Sequence, residues 1–390
     1  MRIVLWGTYD TGKPRTRILR AALSEAGVEV LEIHAEVWSG IEDKSQVTGL
    51  RSRLKFLLAW LGSYPRLVLR YIQAPTHDAV IVGYLGHLDV LVLWPFARLK
   101  GKPIVWDAFL SLYDTVVVDR KLVGPKHPLA WLLWAWEWLA CRVSTRVVLD
   151  TAAHAELFSE LYKLQKGRTS ATLVGAEADV FPGDRVAHAA AENKSPAAAD
   201  ETTILFYGQF IPLHGIETIV KAAQMAEDRP YRWVLIGRGQ EETRVRALIN
   251  EGPKVNLEWI PWVPYAELNK WICRSDLCLG IFGDTGKASR VIPNKVFQIL
   301  AAGQPLITRD SPAIRELLSD SLPGVYLVPP ADPEALLDAV ERFRTDRPAI
   351  AAAGECLHAG VRERFSLSAL GNQWTSILQA TQKIGLGSQF

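Results

Sequence analysis

Residues 279–310, LGIFGDTGKASRVIPNKVFQILAAGQPLITRD, limit what this chain can become more than any other stretch. An apolar run leads into a glycine-bearing loop with Lys287, Arg290 and Lys295. Helical spacing follows over residues 294–302, Gly303 is its stop, and a second apolar run covers 305–308. Strand, loop, helix and strand in that order form an α/β unit. Amides at the start of such a helix carry partial positive charge, and together with the loop cations they suit an anion such as phosphate. A solvated basic loop is the alternative. Open α/β sheets bind ligands beyond the carboxyl ends of their strands, which is where this loop falls.

The chain has 390 residues, 49% hydrophobic and 22% charged, which predicts a globular protein of about two or three domains. A net charge of +2 gives no global attraction to nucleic acid, so none is expected as a partner. Cys141, Cys273, Cys278 and Cys356 show no metal-type spacing and read as reduced core residues, in keeping with a cytoplasmic protein. The opening MRIVLWG enters a strand directly, without a cleavable signal. The most apolar run, residues 128–141 (PLAWLLWAWEWLAC), contains Glu137 and is shorter than the ~20 residues a bilayer span needs.

In the first half, strand 2–6, the glycine loop 7–12, helix 15–26 and strand 28–33 make the opening unit of a doubly wound domain. The loop GTYDTG lacks the G-x-G-x-x-G pattern, which argues against a nicotinamide site. Strands 79–83 and 104–107 each end in a polar cluster. Tyr84, Gly86, His87 and Asp89 follow the first; Asp107, Ser111, Tyr113 and Asp114 follow the second. Asp107, leaving an apolar strand, is a candidate base toward a hydroxyl, although Asp and Ser at such turns also cap helices, the reading adopted for Asp114. His87 is either a ligand group or a hydrogen-bonded structural histidine. Strand 146–149, helix 152–161 and strand 172–174 complete the half.

Between Asp43 and Asp78 no acidic residue occurs, while Lys44, Arg51, Arg53, Lys55, Arg66 and Arg70 alternate with Leu, Phe and Trp. Helical spacing aligns Leu54, Leu57, Leu58 and Leu61 on one side, suiting an anionic membrane surface or, equally, a core-packing helix with a basic outer face. Trp131, Trp134, Trp136 and Trp138 suit a membrane interface or core packing. Residues 184–203, nearly devoid of large apolar side chains, read as a linker. The expected domains are therefore 1–183 and 204–365. A helix over 366–384 carries an apolar stripe of Leu367, Leu370, Trp374, Ile377 and Leu378.

The second half repeats the alternation: strand 204–207, loop GQFIPLHG (208–215), helix 216–226, strand 233–236 ending in GRGQEE, strand 256–260, and strand 277–281 into the opening stretch. The ordered pieces WGTYDTG, VGAEADVF, YGQFIPLHGIETIVKAA, WVLIGRGQE, WIPWVPYAEL and IPNKVFQILAAGQPLIT resemble glycosyltransferases of the GT-B fold, similar to family 4, the retaining enzymes that use nucleotide-activated sugars. The resemblance spans nearly the whole chain. It implies an α/β fold of two doubly wound parallel-sheet domains facing across a cleft, the first binding acceptor and the second donor, with the last helix packing back on the first domain.

By the same resemblance, the donor diphosphate contacts Gly7, Gly12, Gly208, Gln209, His214 and Gly215, with Lys287, Arg290 and Lys295 supplying the charge that the family usually places where Gln209 and His214 stand here. The nucleotide base and ribose fall to Gly237, Arg238, Ile260, Trp262, Val263 and Gln298. The family's Glu-x7-Glu motif maps to Arg290 and Gln298; a glutamine still bonds a diol, whereas Arg290 alters contacts to the transferred sugar. Catalysis falls to Asp107 and His87, acceptor binding to Tyr84, Ser111 and Tyr113. No cofactor or metal is expected, since cations take up the leaving charge. The implied partners are a nucleotide-sugar donor, a glycan or lipid-linked acceptor, and an anionic membrane contacted peripherally, as in polysaccharide or glycolipid assembly. A catalytically silent nucleotide-binding protein and a nucleotide-sugar 2-epimerase are the alternatives.

Overall fold

The structure is a computed structural model that describes residues 1–38, 50–182, 201–354 and 357–387. The chain divides into two compact units, one of Met1–Val117, Lys121–Gly175 and Ser366–Phe390, the other of Val118–Arg120 and Ala176–Phe365. The units part between Gly175 and Ala176, ahead of the expected linker, of which residues 184–200 lie outside the described residues.

The first unit is a six-stranded parallel sheet of β1 (Arg2–Gly7), β2 (Glu29–His34), β3 (Ala79–Val82), β4 (Ile104–Phe109), β5 (Arg146–Leu149) and β6 (Thr169–Ala171), in the order β2-β1-β3-β4-β5-β6. Successive residues of a strand face opposite sides, so a parallel sheet covered on both faces needs apolar residues throughout. Strand β1 meets that demand. Ile3 and Leu5 join a core with Leu19, Leu23, Trp374 and Leu378, from α1 (Pro14–Glu25) and the carboxyl-terminal helix (Leu367–Gly387). Val4 and Trp6 face α2 (Leu50–Ile72), α3 (His87–Leu99), α4 (Pro128–Val143) and α5 (Ala152–Leu161) through Leu67, Leu93, Ala140 and Phe158.

The strand expected at 172–174 is instead Thr169–Ala171. The carbonyls of Thr172 and Leu173 turn to the Arg15 guanidinium, at 3.0 and 3.1 Å, rather than to a neighbouring strand.

The second unit holds β7 (Thr202–Tyr207), β8 (Tyr231–Ile236), β9 (Leu257–Ile260), β10 (Leu277–Leu279), β11 (Leu306–Arg309) and β12 (Val325–Val328), all parallel in the order β12-β11-β10-β7-β8-β9. Its helices are α6 (Ile216–Met225), α7 (Glu242–Glu251), α8 (Leu268–Arg274), α9 (Asn294–Ala301), α10 (Pro312–Arg315), α11 (Pro333–Ala353) and α12 (Ala359–Arg364). Ile204, Phe206, Trp233 and Leu235 pack with Ile219 and Ala223 of α6 and Leu336 and Val340 of α11. In both sheets the winding direction reverses beside the unit's first strand, between β1 and β3 and between β7 and β10. Such switch points leave a crevice at the strand ends.

Two buried charge clusters fasten the first unit. Arg15, at the start of α1, grips Asp107 of β4 through Nη2–Oδ1 at 2.8 Å and Nε–Oδ2 at 3.1 Å, and lies against the Phe109 and Trp374 rings. Glu137 of α4 accepts from His87 Nε2 (2.9 Å), Ser111 Oγ (2.7 Å), Tyr162 OH (2.6 Å) and the Leu112 amide (2.9 Å). Burial alone would raise its pKa; these donors hold it below the ordinary value. Removing one partner of a buried ion pair strands the other charge, at a cost of about 3–5 kcal/mol. Asp107→Asn is therefore expected to lower the thermal unfolding midpoint of the first unit by roughly 6–20 °C, and Arg15→Met with Asp107→Leu by much less. Circular dichroism melts check this, and an unchanged midpoint for Asp107→Asn would show that the pair does not hold the unit together.

Candidate functional site

The opening stretch of the sequence analysis lies at the switch point of the second unit, where β7 and β10 run side by side with Leu277 against Ile204. Strand β7 ends at Tyr207, and the backbone then turns through Gly208 at φ +141°, a region that disfavours side chains. A Cβ there would stand 2.9 Å from Lys295 Nζ and 3.1 Å from His214 Cε1. The missing side chain is what lets Lys295, in the first turn of α9, reach the end of β7. Gly237, at φ +146° after β8, comes closer still: a Cβ on it would lie 1.9 Å from the Gly208 carbonyl oxygen. Gly215 ends the loop in the left-handed conformation, with its backbone against Phe282 and Gly283.

Lys295 is only 5% exposed, and its nitrogen sits 3.7 Å from the centroid of the Phe206 ring without a hydrogen-bond partner among the described residues. Burial pushes its pKa well below the ordinary lysine value. His214 is driven well down as well, first by burial and then by Lys295, with Arg120 adding to the effect. Its Nδ1 pairs with the Gln209 carbonyl, while Gln209 itself is exposed. The site thus sets a buried lysine amine, whose charging is opposed by burial, beside a neutral imidazole and partly open backbone, an arrangement in which an arriving anion would favour the protonated lysine.

Lys287 is buried and Arg290 half-buried in the turn before α9, the Arg290 amide donating to Lys287 O at 2.9 Å. Of the residues expected at the base and ribose, Arg238 and Trp262 are exposed, while Ile260 and Val263 are half-buried. Gln298 differs from expectation in being occupied: its Oε1 accepts from Tyr207 OH at 2.9 Å and its Nε2 donates to Tyr265 OH at 3.2 Å. Tyr265 in turn donates to Glu177 Oε2 at 2.6 Å.

Sequence reasoning missed Asp119 and Arg120, which belong to this unit. Thr285 Oγ1 donates to Asp119 Oδ1 at 2.9 Å and Gln240 Nε2 to the Arg120 carbonyl at 3.2 Å. No local pattern marks such a short segment.

In the first unit, Gly7 ends β1 with Asp89 packed so tightly against it that a Cβ would lie 2.3 Å from Asp89 Oδ2. That carboxylate accepts from the Thr8 amide (2.8 Å) and Tyr64 OH (2.6 Å), and burial nevertheless raises its pKa. Gly12 donates its amide to Asp10 Oδ1 at 2.9 Å. Tyr84, half-buried, meets the Phe109 ring edge-on, Tyr113 is half-buried, and Ser111 is bonded to Glu137.

Two expectations are corrected. Asp107 is fully buried and doubly bonded by Arg15, so it is a structural anion rather than an accessible base. His87 is 1% exposed and bonded to Glu137, which makes it the hydrogen-bonded structural histidine. Among the described residues no group of three or more His, Cys, Asp or Glu side chains could hold a metal ion, and no helix is long and apolar enough to cross a membrane.

Residues 201–346, most of the second unit, match the family model described as Glycosyl transferases group 1. Over 155 residues the chain is 25% identical to the putative colanic acid biosynthesis glycosyl transferase WcaI of Escherichia coli K12, a match covering 39% of this chain and only 38% of that protein. Among solved structures, sucrose-phosphate synthase from Thermosynechococcus elongatus superposes with a TM-score of 0.68 at 19% identity, covering 97% of this chain and 98% of that one. HepE of Anabaena, solved with UDP, gives 0.64 at 12% identity over 97% and 100%. These likenesses establish the GT-B fold.

Within the second unit, Gly237→Ala forces the β7 loop to move, since its Cβ would meet the Gly208 carbonyl at 1.9 Å. It is expected to cost about 2–5 kcal/mol from overpacking and backbone strain. Gly303→Ala, which also has positive φ but meets nothing within 4 Å, is expected to cost about 1 kcal/mol. Denaturant unfolding of both variants checks the difference, and equal losses would mean that the close approach at Gly237 is unimportant.

Proposed function

We propose that this protein is a retaining glycosyltransferase of family 4 that moves a hexosyl group from a nucleotide-diphosphate sugar to a hydroxyl of a glycan or lipid-linked acceptor, without a metal. The observation that carries this reading is Lys295. A lysine amine buried at a switch point with no anionic partner among the described residues is costly to charge alone, and an arriving diphosphate would relieve that cost. Arg290 and Lys287, in the turn before α9, are the further cations assigned to the leaving group, and amides at the start of α9 add partial positive charge. The base and ribose are assigned to Gly237, Arg238 and residues 260–263. HepE was solved with UDP and with UDP-glucose, which makes these the first donors to try here.

Retention requires the acceptor hydroxyl on the face from which the diphosphate departs. On that face the departing phosphate oxygen is itself a base, so the reading does not need Asp107. Tyr84 and Tyr113, half-buried beyond β3 and β4, are the acceptor contacts assigned in the first unit.

Apolar exposure in the first unit supports peripheral attachment to an anionic membrane. Helix α2 contacts α3, which contacts α4, and all three expose large apolar groups: Leu58 at 62%, Leu99 at 85%, Trp131 at 68%. The leucine side of α2 is therefore outward, with Leu57 and Leu61 also exposed and Tyr64, Leu67 and Tyr71 buried. Lys55 and Arg66 stand exposed at the margin; Lys44 and the side chains of Arg51, Arg53 and Leu54 lie outside the described residues. Apolar surface bordered by cations is what an anionic bilayer attracts.

For the donor, thermal-shift screening against UDP, GDP, ADP and their sugars is expected to find one nucleotide that stabilises the fold by about 2.7 kcal/mol at a hundred times its Kd, and an acceptor extract to consume its sugar. Lys295→Met should weaken that nucleotide about 10- to 100-fold while raising the unliganded midpoint. Because the diphosphate selects the protonated lysine, binding takes up a proton and weakens as pH rises through the depressed unliganded pKa. Failure of every nucleotide to stabilise the chain would end this reading; stabilisation without any turnover would leave a silent binding protein. For the membrane, Leu58→Glu with Trp131→Glu is expected to abolish co-sedimentation with phosphatidylglycerol vesicles, and undiminished sedimentation would rule this surface out.

A further inference from the structure

A cavity of about 720 Å³ opens in the first unit at the amino ends of β4, β5 and β6, the edge of the sheet remote from the strand ends that carry Tyr84 and Tyr113. Its size falls within the ~300–1,000 Å³ of small-molecule sites. Arg98 and Lys102 line it beyond α3, Arg142 at the end of α4 and Arg168 before β6, and no Asp or Glu takes part. Arg146 lies close by, its pKa lowered by burial and by the charge of Arg168. None of the five forms an ion pair among the described residues.

Part of this charge has a local purpose. Arg168 donates to the carbonyls of Cys141 (3.1 Å), Arg142 (3.2 Å) and Ser144, which close the end of α4, and Arg142 donates to Tyr162 and Lys163 beyond α5, both at 3.3 Å. Helix carboxyl ends carry roughly half a negative charge each. Three such ends, of α3, α4 and α5, therefore offset less than half of five cations and leave a surplus of roughly three and a half positive charges. Among the described residues Arg98 and Lys102 make no side-chain hydrogen bond and the buried Arg168 Nε has no partner, and the pKa of Arg168 is lowered by burial and by Arg142. Arg168 opposes the charge of Arg146, and Arg142 that of Arg168; an anion with two or more charges would relieve that repulsion. At the rim stand Trp94 and Ile384, each 38% exposed, apolar surface against which the organic part of such an anion can rest.

We propose that this cavity binds a phosphate-bearing anion, a phosphomonoester or diphosphate, at a site separate from the donor site and independent of it. The phosphate can belong to a soluble ester or to a lipid headgroup, and the same residues would read either.

The test uses the full chain carrying Lys295→Met, which weakens the proposed donor site, with inorganic pyrophosphate as the probe in calorimetry at concentrations below that weakened site's Kd. One site is expected. Arg98→Glu with Lys102→Glu should weaken it by about 10- to 100-fold, and Arg98→Gln with Lys102→Gln by less. Neither pair removes a hydrogen bond of the fold, and a circular dichroism melt confirms that each is folded. Competition by phosphatidic acid vesicles, absent in the charge-reversed chain, assigns the site to a lipid headgroup; competition by glycerol 3-phosphate but not by vesicles assigns it to a soluble ester. Absence of pyrophosphate binding in the Lys295→Met chain, or binding undiminished by the charge reversal, overturns the proposal. Loss of nucleotide binding by the wild-type chain would leave it untouched.

Discussion

A lysine side chain taken out of water without a counter-ion among the described residues sets the terms for the second unit. Lys295 can occupy that position only because Gly208 has no side chain, Gly237 lets the β7 loop close down, and His214 stays neutral beside it. Each of these features costs stability by itself: backbone in regions few residues adopt, an imidazole that cannot charge, a cation facing an aromatic ring instead of solvent. The buried β7–β8–β10 core around Ile204, Phe206 and Trp233 carries that cost. Strain of this kind, gathered at the switch point of a parallel sheet and supported from outside it, is what a preorganised anion site requires.

The first unit treats buried charge in the opposite way. Asp107 and Glu137 are as deeply buried as Lys295, but each is surrounded by donors: Arg15 on both oxygens of the first; His87, Ser111, Tyr162 and a backbone amide on the second. A carboxylate whose lone pairs are filled fixes the geometry of what surrounds it and has little capacity left for chemistry. Here it fixes the loops after β3 and β4, where Tyr84 and Tyr113 emerge. Buried charge is therefore a poor guide to function unless its partners are counted: the same depth marks a rivet in one unit and an open site in the other.

That distinction explains how much was legible in the sequence. Strand and helix alternation, the glycine turns after β1, β7 and β8, and the glycine-bearing loop before α9 are local patterns, and they were readable because parallel strands buried on both faces are apolar throughout. Asp107 was visible as a polar residue leaving an apolar strand; its partner Arg15 lies 92 positions away and is brought to it only by the fold. Glu137 did carry a signal, a lone carboxylate inside the most apolar run of the chain, and a charge in that setting should have been read as the centre of a network. The leucine stripe of α2 was ambiguous for a different reason. Periodicity shows that a helix has an apolar side but not which medium that side faces, and only the burial of Tyr64, Leu67 and Tyr71 on the other side settles that it points outward.

Gln298 shows how a departure from a motif can be absorbed without restoring the missing charge at its own position. Its amide is held by Tyr207 on one side and Tyr265 on the other, so it cannot turn to a ligand without breaking a buried bond. Tyr265 passes the connection on to Glu177, which places a carboxylate two hydrogen bonds from the Gln298 amide, outside the stretch that a Glu-x7-Glu spacing can reach. A hydroxyl shared between an amide and a carboxylate is polarised by both and held in one orientation. The half-buried Tyr265 hydroxyl is therefore fixed against the buried Glu177 carboxylate, while Gln298 acts as the post that keeps it in place.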